Sequence, residues 1–400
     1  MTFPIIHSLQ DVLPALEGHD EFRVMDKGTH LTVDYIFQQQ SSFKPNPVHG
    51  PKADEYAILR RECRGLKFDK EGRLLARPFH KFFNLFETEE TLPSALPLEE
   101  AMITEKLDGS MIHPVLMPDD KLVLMTMQWR SPIARQAEEH ALVSRHGYED
   151  FCRALLREGL MPIFEWCSRQ QRIIVDHPED RLVLLAVRHQ IEGWYVGQED
   201  VEAAAKPYAV PTVRAERIPD DFSGWLARIR SLPVTEEGVV LVFPSGQRVK
   251  VKGDAYTKAH QAMEGVSREA WVLDLILTGK EDDVLPFLSP ETRESVIGFA
   301  NSVREGLKGT AARIEARAAE LLAHAGGDRR ILASFVTQEL QAEQAFLFQA
   351  ANKPGSVLER LIQDALKKRL TEERIEQIRP WWGDTRWRAP MKPGTETGME

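Results

Sequence analysis

Between about residue 55 and residue 255, apolar and polar positions alternate over short runs bounded by turn residues. The runs are Gly65 to Phe68, Leu74 to Ala76, Met102 to Lys106, Leu122 to Met127, Ile163 to Trp166, Leu182 to Val187, Val239 to Phe243 and Arg248 to Lys252. Runs of this length and texture predict strands. Helical stretches are expected between them at Ile133 to His146 and Tyr148 to Glu158. The mixture predicts an α+β fold dominated by antiparallel sheets with helices. Beyond residue 258 the apolar spacing lengthens to three and four, in Trp271 to Leu277, Ile297 to Leu307, Ala311 to Leu322 and Ile331 to Phe348, which predicts an all-helical region. The expected division is therefore a mixed domain over 1–257, a helical domain over 258–390 and a frayed tail over 391–400. Near the start, Gln38 to Pro47 is polar and proline-containing, and reads as an exposed loop.

Composition narrows the class. With 42% apolar residues in 400, the chain can bury a sizeable core. Its longest apolar runs fall well short of the roughly 20 residues needed to cross a bilayer. No basic leader followed by an apolar stretch opens the sequence, and the three cysteines, Cys63, Cys152 and Cys167, are widely spaced, so a reducing cytoplasm is the expected setting. A net charge of -10 excludes a protein that coats nucleic acid by bulk attraction. Contact with nucleic acid would need a local basic surface, and basic clusters do occur between residues 60 and 255.

The candidate chemistry begins at Thr104-Glu-Lys-Leu-Asp-Gly-Ser110, where a β-type run closes on a glycine turn that would present Lys106 at the mouth of a pocket. By average residue usage, Lys-x-Asp-Gly arises by chance in about one chain in ten of this length. Taken singly it is a strand end and a turn; its company gives it weight. Thr235 to Phe243 and Arg248 to Lys252 flank Pro244-Ser-Gly-Gln247 and read as a hairpin. With a four-residue loop, Leu241 would face Lys250 and Val239 would face Lys252. Val240, Val242, Val249 and Val251 would then fill the opposite face, and Glu237 would join the lysines. The plainer reading is an alternating strand with solvated lysines. In Pro162-Ile-Phe-Glu-Trp166, Glu165 interrupts an apolar run, and a carboxylate there calls for a hydroxyl, a metal-bound water or a cation unless the strand is a solvent-facing edge. Upstream, Arg61 to Lys67 and Arg77 to Asn84 interleave basic and aromatic residues.

Together, and in this order, these motifs resemble those of the covalent nucleotidyltransferases, and within them the bacteriophage RNA ligase 1 type, the single-strand RNA ligase of tRNA repair. The likeness runs from about Arg61 to His260. Lys106-Leu-Asp-Gly-Ser resembles the nucleotidyl-lysine motif, Phe164-Glu-Trp the central acidic motif and Leu182 to Arg188 the strand that follows it. Glu237-Gly-Val-Val resembles the second acidic motif, and Lys250-Val-Lys252 the paired lysines. Glu62-Cys-Arg-Gly65 and Lys81-Phe-Phe-Asn84 are similar to the pair that marks this ligase type, which implies phosphate contacts for Arg64 and Lys81. The resemblance also implies a role in ligation for Tyr256 and a nucleotide contact for Tyr35. Gly279-Lys-Glu-Asp-Asp283 is similar to an element associated with a divalent ion, implicating Asp282 and Asp283; the alternative is an acidic turn at a helix end. Arg130, in Met127-Gln-Trp-Arg-Ser131, is a candidate for a basic residue that the family carries near this point.

The implied activity is joining of 5′-phosphate and 3′-hydroxyl RNA ends with ATP, through AMP on Lys106 and then on the RNA end. Lys106, Glu165, Glu237, Lys252 and Tyr256 would be catalytic. Arg64, Lys81, Lys250 and Tyr35 would bind nucleotide with them, and Mg²⁺ or Mn²⁺ would lie at Glu237. A free lysine titrates near 10.4, so the attacking amine must be made neutral, and surrounding cations would do this by repulsion. Expected partners are single-stranded RNA or a nicked tRNA anticodon loop, with a separate 5′-kinase/3′-phosphatase healing the ends. The expected setting is a monomer in the cytoplasm of a bacterium or phage-infected bacterial cell. Two alternatives stay open: a DNA ligase or capping-type enzyme, and a non-catalytic RNA-end or nucleotide-binding protein. In the helical region, Trp381-Trp-Gly-Asp-Thr-Arg-Trp-Arg388 could stack unpaired bases or simply pack the C-terminal segment.

Overall fold

The computed structural model of the chain describes residues 3–39, 41–143, 147–170, 172–352, 358–367 and 370–389. It divides into two units, one ending at Thr257 and the other beginning at Lys258. The end of the helix expected over 133–146 and the tail expected over 391–400 lie outside the described residues.

The strands of the first unit are β1 (Phe22–Asp26), β2 (Leu31–Tyr35), β3 (Leu66–Phe68), β4 (Leu74–Ala76), β5 (Phe83–Asn84), β6 (Met102–Lys106), β7 (Ser110–Leu116), β8 (Leu122–Met125), β9 (Leu160–Cys167), β10 (Arg181–His189), β11 (Ala215–Arg217), β12 (Gly238–Val242) and β13 (Arg248–Lys252). They form three sheets, ordered β1-β2-β3-β4, β10-β9-β7-β8 and β11-β6-β12-β13-β5. Pairing is antiparallel throughout except between β13 and β5. An α+β unit built on antiparallel sheets is thus what the alternation produces.

Period-two burial explains how the layers meet. On β9, Phe164 and Trp166 enter a core shared with the helix Gly147–Arg157, while Met161 and Ile163 point to the other face and pack with Val115 and Val123. Glu165 lies on that second face, so the aromatics beside it in sequence are directed away from it. The β1–β2 hairpin and the helix Ala53–Glu62 arise in stretches without a clear apolar period. Only Phe22 of β1 is buried, and such a strand is held by its partner rather than by its own pattern.

The β12–β13 hairpin departs from the expected register. Phe243 N donates to Gln247 O at 3.0 Å and Gly246 N to Phe243 O at 2.8 Å, with Gly246 at φ +83°, so the loop has three residues, not four. Leu241 therefore faces Val249 and Val239 faces Val251, while Val240 faces Lys250 and Gly238 faces Lys252. Leu241, Phe243, Val249 and Val251 form the apolar side, and Val240 and Val242 share the lysines' face. A one-residue change of loop length exchanges the faces of one strand.

A buried ionic knot ties distant parts of this unit. Glu62 accepts from Arg77 Nε at 3.1 Å and from Arg188 at 2.8 Å, all three side chains being inaccessible to solvent. Arg77 also donates to Pro4 O and Ile191 O, and Arg188 to Pro78 O and Gly193 O. Burial alone would raise the Glu62 pKa; the two guanidiniums override it and hold the group at about 2.

In the second unit the helices are Glu269–Thr278, Pro290–His324, Arg329–Val336, Gln341–Asn352, Leu358–Leu366 and Glu372–Ile378. The stretches expected as two helices, 297–307 and 311–322, form one continuous helix of 35 residues. The stretch 331–348 is instead two helices, divided at 337–340. Trp382 and Trp387 are buried in the unit's core, their indole N–H groups donating to Thr385 O and Val266 O, and Trp381 meets Phe346 edge to face. These rings serve packing. Among the described residues no helix is long and apolar enough to cross a membrane.

Glu62→Ala would leave two buried guanidiniums facing each other without a counter-charge, a loss of about 3–5 kcal/mol. The expected outcome is a clearly lower urea midpoint for the first unit by tryptophan fluorescence, and an unchanged midpoint would contradict the knot's role.

Candidate active site

Three adjacent strands bring the motif residues together. Gly238 on β12 lies opposite Lys106 at the end of β6 and, on its other side, opposite Lys252 at the end of β13. Glu237, one residue earlier, reaches both: Oε2 lies 2.7 Å from Lys106 Nζ and Oε1 2.9 Å from Lys252 Nζ. Strict alternation would send Glu237 to the apolar face. Gly238 prevents this by adopting φ +141°, and a Cβ there would lie 2.1 Å from Val251 O, so glycine is required. Glu237 is 4% exposed and Lys106 21%, which leaves the amine as the accessible end of the pair. The cations expected around Lys106 are present, but its direct charged partner is a carboxylate.

Lys106 opens on a cavity of about 570 Å³ whose lining also includes Arg64, Glu165, Lys250, Phe82 and Trp129. Glu165 faces Met111 across β7 and β9, and its side chain makes no hydrogen bond or ion pair among the described residues. Its carboxyl is pushed up to about 8, first by burial, with Lys106 pulling it back and Glu237 and Asp108 pushing further. At neutral pH it is therefore mostly protonated and can donate a hydrogen bond. Lys250 is lowered to about 7 by burial and by repulsion from Arg64, Lys106, Lys81 and Lys252, and it sits 4.7 Å from the centre of the Phe82 ring.

Other expected residues lie further back. Lys81 does not line the cavity; its Nζ donates to Gln38 at 2.6 Å above the rings of Tyr35, Phe43 and Phe83. Tyr35 is likewise outside the lining and contacts Lys81 instead. Tyr256 is buried and donates to Asp108 Oδ1 at 2.6 Å, with Lys252 over its ring. Arg130 is paired with Glu138, and it is its neighbours Gln128 and Trp129 that reach the cavity. Asp282 and Asp283 are exposed in a single 3-10 turn, following Gly279, whose φ of +67° closes a helix. Their neighbour Glu281 pairs with Arg304. No group of three or more His, Cys, Asp or Glu among the described residues is arranged to hold a metal. The acidic turn at a helix end is the reading this geometry favours.

Three residues that the motif reading passed over also hold the site. Asp108 accepts from Ile174 N at 2.8 Å, Val175 N at 2.7 Å and Tyr256 Oη, fixing the loop behind the lysine turn. Gly109, next to it, allows the close approach of β9, since a Cβ would lie 2.4 Å from Trp166 O. Lys67 is fully buried and donates to Gly65 O, Thr126 O and Met127 O, clamping a cavity wall; burial lowers it to about 7. The sequence signal for Asp108 lay within the lysine motif itself. That for Lys67 was absent, because a lysine in a three-residue strand looks like surface.

Residues 62–256, the stretch that supplies every side chain at this cavity named so far, match the sequence model of a family described as RNA ligase. This stretch belongs to the RNA ligase family. A protein of Thermovibrio ammonificans whose name assigns it provisionally to the RNA ligases is 28% identical over 291 residues, covering 69% of this chain and 70% of that protein. RNA ligase 1 of bacteriophage TS2126 is 29% identical over 248 residues, covering 56% of this chain and 60% of the phage protein, less than two thirds of its length. Among solved structures, an archaeal ATP-dependent RNA ligase aligns over 92% of this chain and 85% of its own at 15% identity and a TM-score of 0.45, too loose a likeness to place residues.

In this protein the Glu165 carboxyl titrates above its ordinary value, so between about pH 4.5 and 8 the folded state holds a proton that the unfolded state has released. Wild-type stability should therefore fall relative to Glu165→Gln as pH rises through that window and level off above it. Paired urea titrations at pH 5 and pH 8 check this; a constant difference would contradict the assigned environment.

Proposed function

We propose that this member of the family is an ATP-dependent RNA ligase that carries AMP on Lys106. One observation carries the reading: a partly exposed amine at a cavity mouth, bridged by one buried carboxylate to a second lysine, with Arg64, Arg248 and Lys250 on the cavity wall. In the first step the neutral amine of Lys106 attacks the α-phosphorus of ATP, a P–N bond forms, and pyrophosphate leaves. Glu237 Oε2, at 2.7 Å, is the nearest acceptor for the ammonium proton. Arg64, Lys250 and Lys252 offset charge on the phosphoryl oxygens. In the second step an oxygen of the RNA 5′-phosphate displaces Lys106, which takes back a proton as it leaves. In the third a 3′-hydroxyl attacks the activated phosphate and AMP departs.

Protonated Glu165 would donate a hydrogen bond to an oxygen of the nucleotide's ribose. A divalent cation, when bound, neutralises charge on the triphosphate. Mg²⁺ and Mn²⁺ favour one or two carboxylates with phosphate oxygens and water. Glu165, whose side-chain oxygens lack direct partners among the described residues, would fit such a role only on giving up its proton, with Glu237 behind it; Asp108, saturated by three donors, would not. The helical unit, Tyr256 and the aromatic platform under Lys81 are assigned to RNA and to positioning. A 5′-phosphorylated, single-stranded RNA end, such as a cleaved tRNA anticodon loop healed by a separate enzyme, is the proposed substrate. The DNA ligase and capping-type reading is disfavoured because the residues after Lys252 continue as the helix Asp254–Gly265, not as the strands of an OB-fold.

Incubation with ATP and a divalent cation should add one adenylyl group to the intact mass of the wild-type protein and none to Lys106→Ala. GTP should not substitute. An unmodified wild-type protein would overturn the proposal, and joining of nicked duplex DNA alone would overturn the RNA assignment.

A further inference from the structure

Arg248, Lys250 and Lys252 alternate along β13 on the face turned from the apolar core, each about 7 Å from the next. Each cation rests on a ring: Lys252 over Tyr256 at 5.2 Å, Lys250 over Phe82 at 4.7 Å, and Arg248 over Tyr195 at 4.5 Å. The lysines belong to the site already described. Arg248 lines the same cavity, is 4% exposed, and makes no ion pair among the described residues, and its Nε lies buried without a hydrogen-bond partner.

The surroundings sharpen the imbalance. Behind Tyr195 lies the knot in which Arg77 and Arg188 share the single carboxylate of Glu62. Three buried guanidiniums thus stand against one carboxylate. His80, hydrogen-bonded to Tyr195 at 2.8 Å, is held neutral by burial and by Arg188. A buried guanidinium without a counter-charge is costly, and guanidinium presents a fork that matches phosphate oxygens. In this setting aromatic stacking shapes the fork but leaves its charge uncompensated.

We propose that Arg248 is a phosphate-binding residue of this cavity, the third rung of the β13 ladder, and that the group it takes is a phosphate delivered by substrate. This rests on the ligase reading above, which supplies two sources: the triphosphate tail of ATP and the 5′-phosphate of RNA. The rung lies two residues from Lys250 along the strand and is reached from the same cavity, so one ligand can span both.

The test compares wild type with Arg248→Gln and Arg248→Lys, using ATP titrations of adenylyl-enzyme formation, transfer from preformed adenylyl-enzyme to 5′-phosphorylated RNA, and sealing of pre-adenylylated RNA. If the ATP tail is the ligand, Arg248→Gln should raise the KM for ATP tenfold or more while sealing of pre-adenylylated RNA stays within twofold of wild type. If the RNA end is the ligand, adenylylation should be unchanged and transfer slowed tenfold or more. Should Arg248→Gln not fold, Arg248→Lys, which keeps a cation but loses the fork, is read instead, with a rise or slowing of several-fold expected. Wild-type values for both steps in a folded variant would overturn the proposal. A wild-type protein that takes no AMP would instead sink the ligase reading itself, so the two failures are distinguishable.

Discussion

The site depends on one carboxylate holding two ammonium groups. Glu237 can do this only because Gly238 sits at the centre of a three-strand register, opposite Lys106 on one side and Lys252 on the other. A side chain at 238 would collide with the backbone of β13, so the residue that gives the carboxylate its direction also permits the strands' approach. The bridge aligns the ends of β6 and β13, and with them the mouth of the cavity. Loss of that register would separate the lysines before any chemistry was affected.

Around the bridge, an acidic protein concentrates positive charge in one place. The net charge of -10 is consistent with this because the cations of the cavity are few and sheltered. Apart from Lys106 and Lys252, which share Glu237, the cations in and behind the cavity rest on aromatic faces or backbone carbonyls: Lys250 lies over Phe82, Lys81 over three rings, and buried Lys67 is held by three carbonyl oxygens. Rings and carbonyls orient a cation without neutralising it, leaving its charge available to an anionic ligand. Glu165, protonated near neutrality, adds a hydrogen-bonding group with little negative charge to compete with phosphate.

The second unit is organised by apolar packing. Its tryptophans and the Arg379 pairs with Glu269 and Glu376 close the C-terminal segment on its own core, which accounts for the aromatic and basic run that could be mistaken for a base-stacking surface. The Asp282–Asp283 turn is shaped by the end of a helix at Gly279. The first motif is thus explained by packing within its own unit, and the second by the helix end that it follows.

That Lys106, Glu165, Glu237, Lys250 and Lys252 would gather in one place was legible in the sequence, because they stand at strand ends and on one strand face, and period-two alternation marks such positions. The α+β texture, and the change to helical period near residue 258, were legible for the same reason: side-chain periodicity is a local property of the chain. What only the tertiary structure decided was how the strands sit against one another. The hairpin loop proved one residue shorter than expected, exchanging the faces of β12, and the partners of Asp108, Lys67, Arg248 and Tyr35 come from segments far away in the chain. Register and long-range pairing depend on turn conformation and on the packing of distant elements, and neither is written in the periodicity of a single segment.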